Sequence, residues 1–267
     1  LYAWGPSWSS IALGTLIALV LSLILALVIG LFSLRVRAIF FAMITLAVAS
    51  FFQILASQLS ELTGGEDGIN FKLPAALAPG TRYVEGFLGI DLTGRVLAYY
   101  VVFVVALALV LALLRVVNSP FGRVLQAIRE NEFRAEALGY RTVVHRTIAN
   151  CVAALAAAAA GMLYALWLRY TGPDTTLSFA IMIDLLLMVV IGGMGTMYGA
   201  AIGAAIFVVA QNYLQDLMKL ASGAVEGVPL LPALLHPDRW LLWLGVLFVV
   251  CVYTFPQGLV GRLRSTR

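Results

Sequence analysis

From residue 11 to residue 34 the chain runs without a single charged side chain. A helix needs about 20 mostly apolar residues to cross the hydrocarbon layer of a bilayer. Comparable tracts follow at 38 to about 59, at 96–114 and at 147–168, the last with an alanine-rich middle. The tract from 179 to about 217 is too long for one crossing and long enough for two, and Gly192, Gly193, Gly195 and Gly199 are the natural place to divide it. A final tract, 240–255, is ended by Pro256 and Gly258. A water-soluble fold could not hide this much apolar surface. Hydrophobic residues make up 62% and charged residues 11%, against nearly half and a quarter in an ordinary soluble domain. Lipid offers no hydrogen bonds to the backbone, so the spans must be helices. The expected fold is all-α: a polytopic membrane protein with about seven transmembrane helices, forming one transmembrane domain over residues 1–267.

Lys and Arg set the orientation, because cytoplasmic loops are enriched in them. Placing 34–37, 115–146 and 256–267 in the cytoplasm gathers eleven of the seventeen basic residues there: Arg35, Arg37, Arg115, Arg123, Arg129, Arg134, Arg141, Arg146, Arg262, Arg264 and Arg267. Only Glu130, Glu132 and Glu136 accompany them. Seven alternating spans reproduce this partition, with 62–95 and 218–239 on the periplasmic side. The net charge of +4 is therefore a topology signal, and nucleic acid is excluded as a partner. Residues 1–10, with Trp4, Pro6 and Trp8, then lie on the outer face at the lipid boundary. The chain starts without methionine or signal-peptide features, so an upstream membrane-crossing portion is expected, making this domain N-terminally incomplete.

The segment 117–146 is polar yet reads as ordered. Ser119 is a good N-cap and Pro120 suits the first helical position. Phe121, Val124, Leu125 and Ile128 form one apolar stripe at helical spacing. Asn131 can cap a second short helix, 132–138, and Gly139 provides a left-handed stop. Two amphipathic helices of this kind either lie on the membrane surface and the chain's own helix ends, or dock into a cytoplasmic partner.

The run SPFGRVLQAIRENEFRAEALGY (119–140) strongly resembles the cytoplasmic loop of the permease subunits of branched-chain amino acid ABC importers of the LivM type. The stretches FAMITLA (41–47), LTGGEDG (62–68), LLLMVVIGGMGTMYG (185–199) and FPQGLVG (255–261) resemble further segments of that family in the same order. The turn LRVRA (34–38) departs from the family's more usual Arg-Gly. The resemblance implies a transmembrane permease subunit that forms the translocation path for branched-chain or other hydrophobic amino acids. It also implies its partners: a second permease subunit, cytoplasmic ATPase subunits, a periplasmic substrate-binding protein and the lipid of a bacterial inner membrane. Arg129, Glu130, Asn131, Glu136, Ala137 and Gly139 would then couple to the ATPase. The chain contains no G-x-x-x-x-G-K-[ST] phosphate loop, so no cofactor is expected here and ATP would be bound by the partner subunits.

Other residues keep two readings each. Asp184, the one acid within an expected span and close to its start, either snorkels or caps near the headgroups, or lines a cavity. Gly195, Gly199 and Gly203 repeat every four residues and serve either close helix packing or a broken helix along the path. Thr63, Gly64 and Gly65, with Asp67 and Gly68, are either a plain turn or part of an outer gate or of the dock for the binding protein. His145 and His236 are expected to be solvated in loops, and Cys151 and Cys251 to be small hydrophobes in helices. No metal-ligand spacing and no catalytic cluster is present in the sequence, so an enzyme is not expected. The same architecture carrying urea or short amides is an alternative. An ATP-independent channel or secondary transporter is another, although such a machine would want more intramembrane ionisable groups than Asp184.

Overall fold

A peptide group in lipid must find its hydrogen-bond partner within its own segment, and among the described residues the long apolar tracts are helical, with a break between Gly192 and Met197. The computed structural model describes residues 5–33, 38–87, 90–193, 195–224 and 239–254. Its longer helices are α1 (Trp8–Ser33), α2 (Ala38–Gln58), α4 (Gly94–Val117), α7 (Thr142–Leu168), α9 (Phe179–Gly192), α10 (Met197–Ala224) and α11 (Trp240–Thr254). Shorter ones are α3 (Ser60–Thr63), α5 (Pro120–Glu130), α6 (Glu132–Ala137) and α8 (Pro173–Thr176). Among the described residues five helical stretches are long and apolar enough to cross a membrane. A sixth is added if Ala42–Gln58 and Ser60–Asp67, bent by 83°, form one span. The expected seventh is helical over Trp240–Thr254, 15 residues. The expected cytoplasmic stretches 34–37 and 256–267, Trp4, Met194, His236 and the 255–261 motif lie outside the described residues.

The chain divides into two compact units, Leu1–Ser178 and Phe179–Arg267. In the first, α1 and α7 run antiparallel and are linked at several levels. Asn150 donates to the Ala26 carbonyl (2.9 Å), Ser22 to the Ala154 carbonyl (3.1 Å) and Thr15 to the Met162 sulfur (2.6 Å). A Cβ on Gly30 would lie 3.0 Å from the Thr147 methyl. Small side chains let these helices approach closely, and hydroxyls and amides add hydrogen bonds where water cannot compete. Two short antiparallel pairs interrupt the all-helical pattern. β1 (Ile69–Asn70) pairs with β4 (Tyr170–Thr171), and β2 (Arg82–Phe87) pairs with β3 (Ile90–Thr93) with two register irregularities. Extended connections satisfy their peptide groups by pairing with one another instead.

The second unit is built on α9, α10 and α11, with Ile191, Phe207 and Leu244 buried together and Leu187, Met188, Ala210, Leu214 and Phe248 packed around them. Gly192 and Gly203 bring two of these helices into backbone contact. A Cβ on Gly203 would sit 2.0 Å from the Met188 carbonyl oxygen, and one on Gly192 would sit 1.8 Å from that of Gly199. The expected four-residue repeat is therefore displaced. Gly195 precedes α10, exposed, at φ +113° in the turn, while Gly192, Gly199 and Gly203 make the close approach.

Candidate functional site

The loop joining α4 to α7 is built by its caps. Gly122 permits the tight turn out of α4, because a Cβ there would lie 2.0 Å from the Val117 carbonyl oxygen. Ser119 is extended at the N-cap of α5 and its hydroxyl accepts from the Gly122 N–H (3.3 Å). Asn131 ends α5 and begins α6, its Oδ1 accepting from the Arg134 N–H at 2.9 Å. After Ala137 the chain closes with Gly139 at φ +89°. The Gly139 N–H donates to the Glu136 carbonyl (2.8 Å) and the Tyr140 N–H to the Ala135 carbonyl (3.1 Å), the paired bonds of a Schellman stop.

One face of this loop is anchored. Ile128 is 3% exposed and Ala135 2%. Phe121 stacks on the His145 ring at 6.0 Å, with Tyr140 edge-on at 5.9 Å. His145 is therefore not a solvated loop residue; it sits half-buried in the first turn of α7, its Nδ1 2.9 Å from the Arg141 carbonyl. Two polar contacts fasten α6 to α7. Thr142 donates to Glu136 Oε1 at 2.8 Å, and Arg146 pairs with Glu132 at 2.9 Å. The other face is open. Phe133 is 86% exposed and Leu138 72%, beside exposed Arg129, Glu130, Arg134, Glu136, Ala137 and Gly139. An exposed ring and a leucine tip on a capped, anchored scaffold, rimmed by charge, make a surface shaped to enter a groove.

At the opposite end of α7 the first unit contains a cavity of 470 Å³, lined by Ile11, Thr15, Leu62, Thr63, Met162 and Leu166 among others. Its walls are mostly aliphatic, with hydroxyls on Ser10, Thr15, Thr63, Thr171 and Thr176. The Thr63 hydroxyl donates to the carbonyls of Ala56 and Leu59 and accepts from the Gly65 N–H at 3.3 Å. Gly64 and Gly65 both hold positive φ. A Cβ on Gly64 would meet the Gly68 carbonyl at 2.2 Å, and one on Gly68 would meet that of Thr171 at 2.5 Å. This turn therefore has to be glycine-rich.

The residues singled out from the sequence fall into three groups. Arg129, Glu130, Asn131, Glu136, Ala137 and Gly139 share the α5–α6 loop. Thr63, Gly64 and Gly65 stand at the far end of the same unit. Gly193 and Gly195 lie in the α9–α10 turn, flanked by Gly192 at the end of α9 and Gly199 in the first turn of α10, and Asp184 lies half-buried in the second turn of α9. Thr142 and Arg146 escape sequence reading, because their partners six and fourteen residues away follow no helical period.

The family described as branched-chain amino acid transport system, permease component, matches residues 1–251. Two LivM proteins named high-affinity branched-chain amino acid transport system permeases, from Salmonella typhimurium and Escherichia coli, are each 27% identical over 245 residues. The match covers 86% of this chain and 53% of each of theirs, so the chain spans about half the length of these relatives. A probable branched-chain amino acid transport permease LivM from Methanocaldococcus jannaschii is 30% identical over 263 residues, 94% of this chain and 69% of its own. No solved structure matches. With the family match running over residues 1–251 of 267, the chain belongs to the permease components of branched-chain amino acid transport systems.

Proposed function

We propose that this chain is part of the transmembrane permease subunit of an ATP-binding cassette importer in the bacterial inner membrane, providing a path for branched-chain or other hydrophobic amino acids. ATP is bound by cytoplasmic ATPase subunits, and the loop 119–140 docks on them. A second permease subunit completes the membrane part, and a periplasmic binding protein delivers the substrate. The observation that carries this reading is the open face of α6. Phe133 and Leu138 project from a loop whose own apolar stripe is already packed. Lying on the membrane would force the neighbouring Arg129, Glu130, Arg134 and Glu136 towards lipid, whereas a protein groove with a polar rim accepts ring and charges together. Small Ala137 and Gly139 allow close backbone approach. The 470 Å³ cavity, aliphatic with a few hydroxyls, suits a hydrophobic side chain, with Thr63 in its lining and Gly64 and Gly65 next to it along the chain. The names of the three relatives favour branched-chain amino acids over urea or short amides.

The test is Ala137→Trp in the subunit reconstituted with its partners. The indole should block docking sterically, so ATPase co-purification and substrate-stimulated ATP hydrolysis should both fall severalfold while membrane insertion is kept. Wild-type values for both would transfer preference to the membrane-surface arrangement of the loop.

A further inference from the structure

Positive charge is sparse at the end of the first unit opposite the 119–140 loop, yet three cations converge there. Two adjoining clefts share Leu73, Pro79, Leu168 and Arg169. One, of 200 Å³, is also lined by Arg95 and Trp167; the other, of 480 Å³, by Lys72 and Asn70. Among the described residues no carboxylate lines either cleft, and the described ion pairs use other cations.

Two of the three cations occupy positions that local preference disfavours. Arg169 caps α7 at φ +59°, the one non-glycine residue with positive φ among the described residues. A glycine would adopt that conformation without strain. Arg95 stands in the first turn of α4, where no acid accompanies it and the helix dipole repels a cation. Residues held against their preferences mark places where something else is gained. Lys72 is brought beside them by the backbone, since β1 pairs with β4 and the Phe71 N–H donates to the Arg169 carbonyl at 3.2 Å.

An aromatic band adjoins the cations. Tyr99 lies one turn beyond Arg95, edge-on to Trp167 at 6.2 Å and stacked with Phe103 at 6.4 Å. Tyr99, Tyr100 and Trp167 are exposed towards the ends of two apolar spans, where rings settle at headgroup depth, and exposed Phe103 lies one turn deeper along α4. Cations just above a ring belt match a phosphate attached to acyl chains better than they match a soluble acidic partner.

We propose that Lys72, Arg95 and Arg169 form a binding site for the headgroup phosphate of an anionic phospholipid, whose chains lie along the Tyr99, Phe103 and Trp167 face. This site is independent of ATPase coupling. The test uses the subunit in its assembled complex, in phosphatidylcholine vesicles with or without phosphatidylglycerol. Retained lipid is counted by native mass spectrometry after detergent exchange, and phosphatidylglycerol affinity is measured by titration. Each cation removed should weaken phosphatidylglycerol binding roughly fivefold. Arg169→Gly should show one such step while folding at least as well as wild type, because glycine relieves the left-handed strain. The triple variant K72Q/R95Q/R169Q should lose the preference for phosphatidylglycerol over phosphatidylcholine. If the triple variant fails to fold, Arg169→Gly decides alone. The proposal is overturned if wild type shows no such preference, or if the variants retain phosphatidylglycerol as wild type does. It is equally overturned if free amino acid displaces the lipid, or if the substitutions weaken capture of a soluble acidic partner while lipid retention stays constant.

Discussion

Gly203→Ala adds one methyl group to the close contact between α9 and α10 in the second unit. The new Cβ would lie 2.0 Å from the Met188 carbonyl oxygen and 2.6 Å from the Gly192 nitrogen. A carbon–oxygen contact is comfortable at about 3.3 Å or more, so α9 and α10 would have to separate locally by more than about 1 Å. Both obstacles are backbone atoms within or beside helices, and neither can rotate away. Overpacking of this kind costs about 1–3 kcal/mol, and the upper end is expected here because Ile191 and Phe207, 3% and 1% exposed, pack beside the contact. Alanine also gains about 1 kcal/mol over glycine in helix propensity, which would hide part of the cost. Gly161→Ala provides the control. It is the same substitution in the middle of α7, where a Cβ meets nothing within 4 Å. The difference between the two variants isolates the steric cost, expected at about 3 kcal/mol. The assay is reversible unfolding in mixed micelles, followed by the fluorescence of Trp240 and Trp243. If Gly203→Ala falls within about 0.5 kcal/mol of Gly161→Ala, the size expected of an uninvolved site, the close-packing argument is wrong.

Two further outcomes follow from the first unit. Gly139→Val meets no neighbour, since a Cβ there finds nothing within 4 Å. Its cost is purely conformational, about 1 kcal/mol or more, and should appear as exchange of the Tyr140 amide accelerated roughly fivefold or more with α7 unaffected. Topology can be read by impermeant thiol reagents in intact cells carrying a Cys151→Ser, Cys251→Ser background. Leu62→Cys, at a 75% exposed position, should be labelled, and Phe133→Cys should be labelled only after permeabilisation; the reverse pattern would invert the orientation.

What sequence alone could reach was whatever depends on neighbours along the chain. The tract at 38 to about 59 became Ala38–Gln58, and the tract at 147–168 became Thr142–Leu168. Its extra turn at the start is polar, and helix there is held by packing against α5 rather than by lipid. Ser119, Asn131 and Gly139 cap and stop their helices as expected, because each acts on backbone groups within three or four residues.

What escaped the sequence lies in contacts between distant segments. A four-residue glycine repeat announces close packing but not its register, and Gly195 left the repeat because the turn between α9 and α10 needs positive φ at Gly193 and Gly195. The pairing of Ile69–Asn70 with Tyr170–Thr171 spans a hundred residues, and no alternation of apolar and polar side chains marks strands two residues long. Lys72, Arg95 and Arg169 looked like scattered cations left over from a topology count. Their convergence needs the backbone pairing that draws residue 72 towards residue 169, and the packing of α4 on α7 that brings residue 95 alongside. Local rules do flag two of these residues, though only once the helix ends are known: an arginine in the left-handed region and another at an uncompensated helix N-terminus. Where local preference and tertiary position disagree in this way, tertiary position has to supply the compensation. A phosphate between the cations would do so by neutralising the charge that disfavours Arg95 and by engaging the side chain for which α7 gives up a glycine cap.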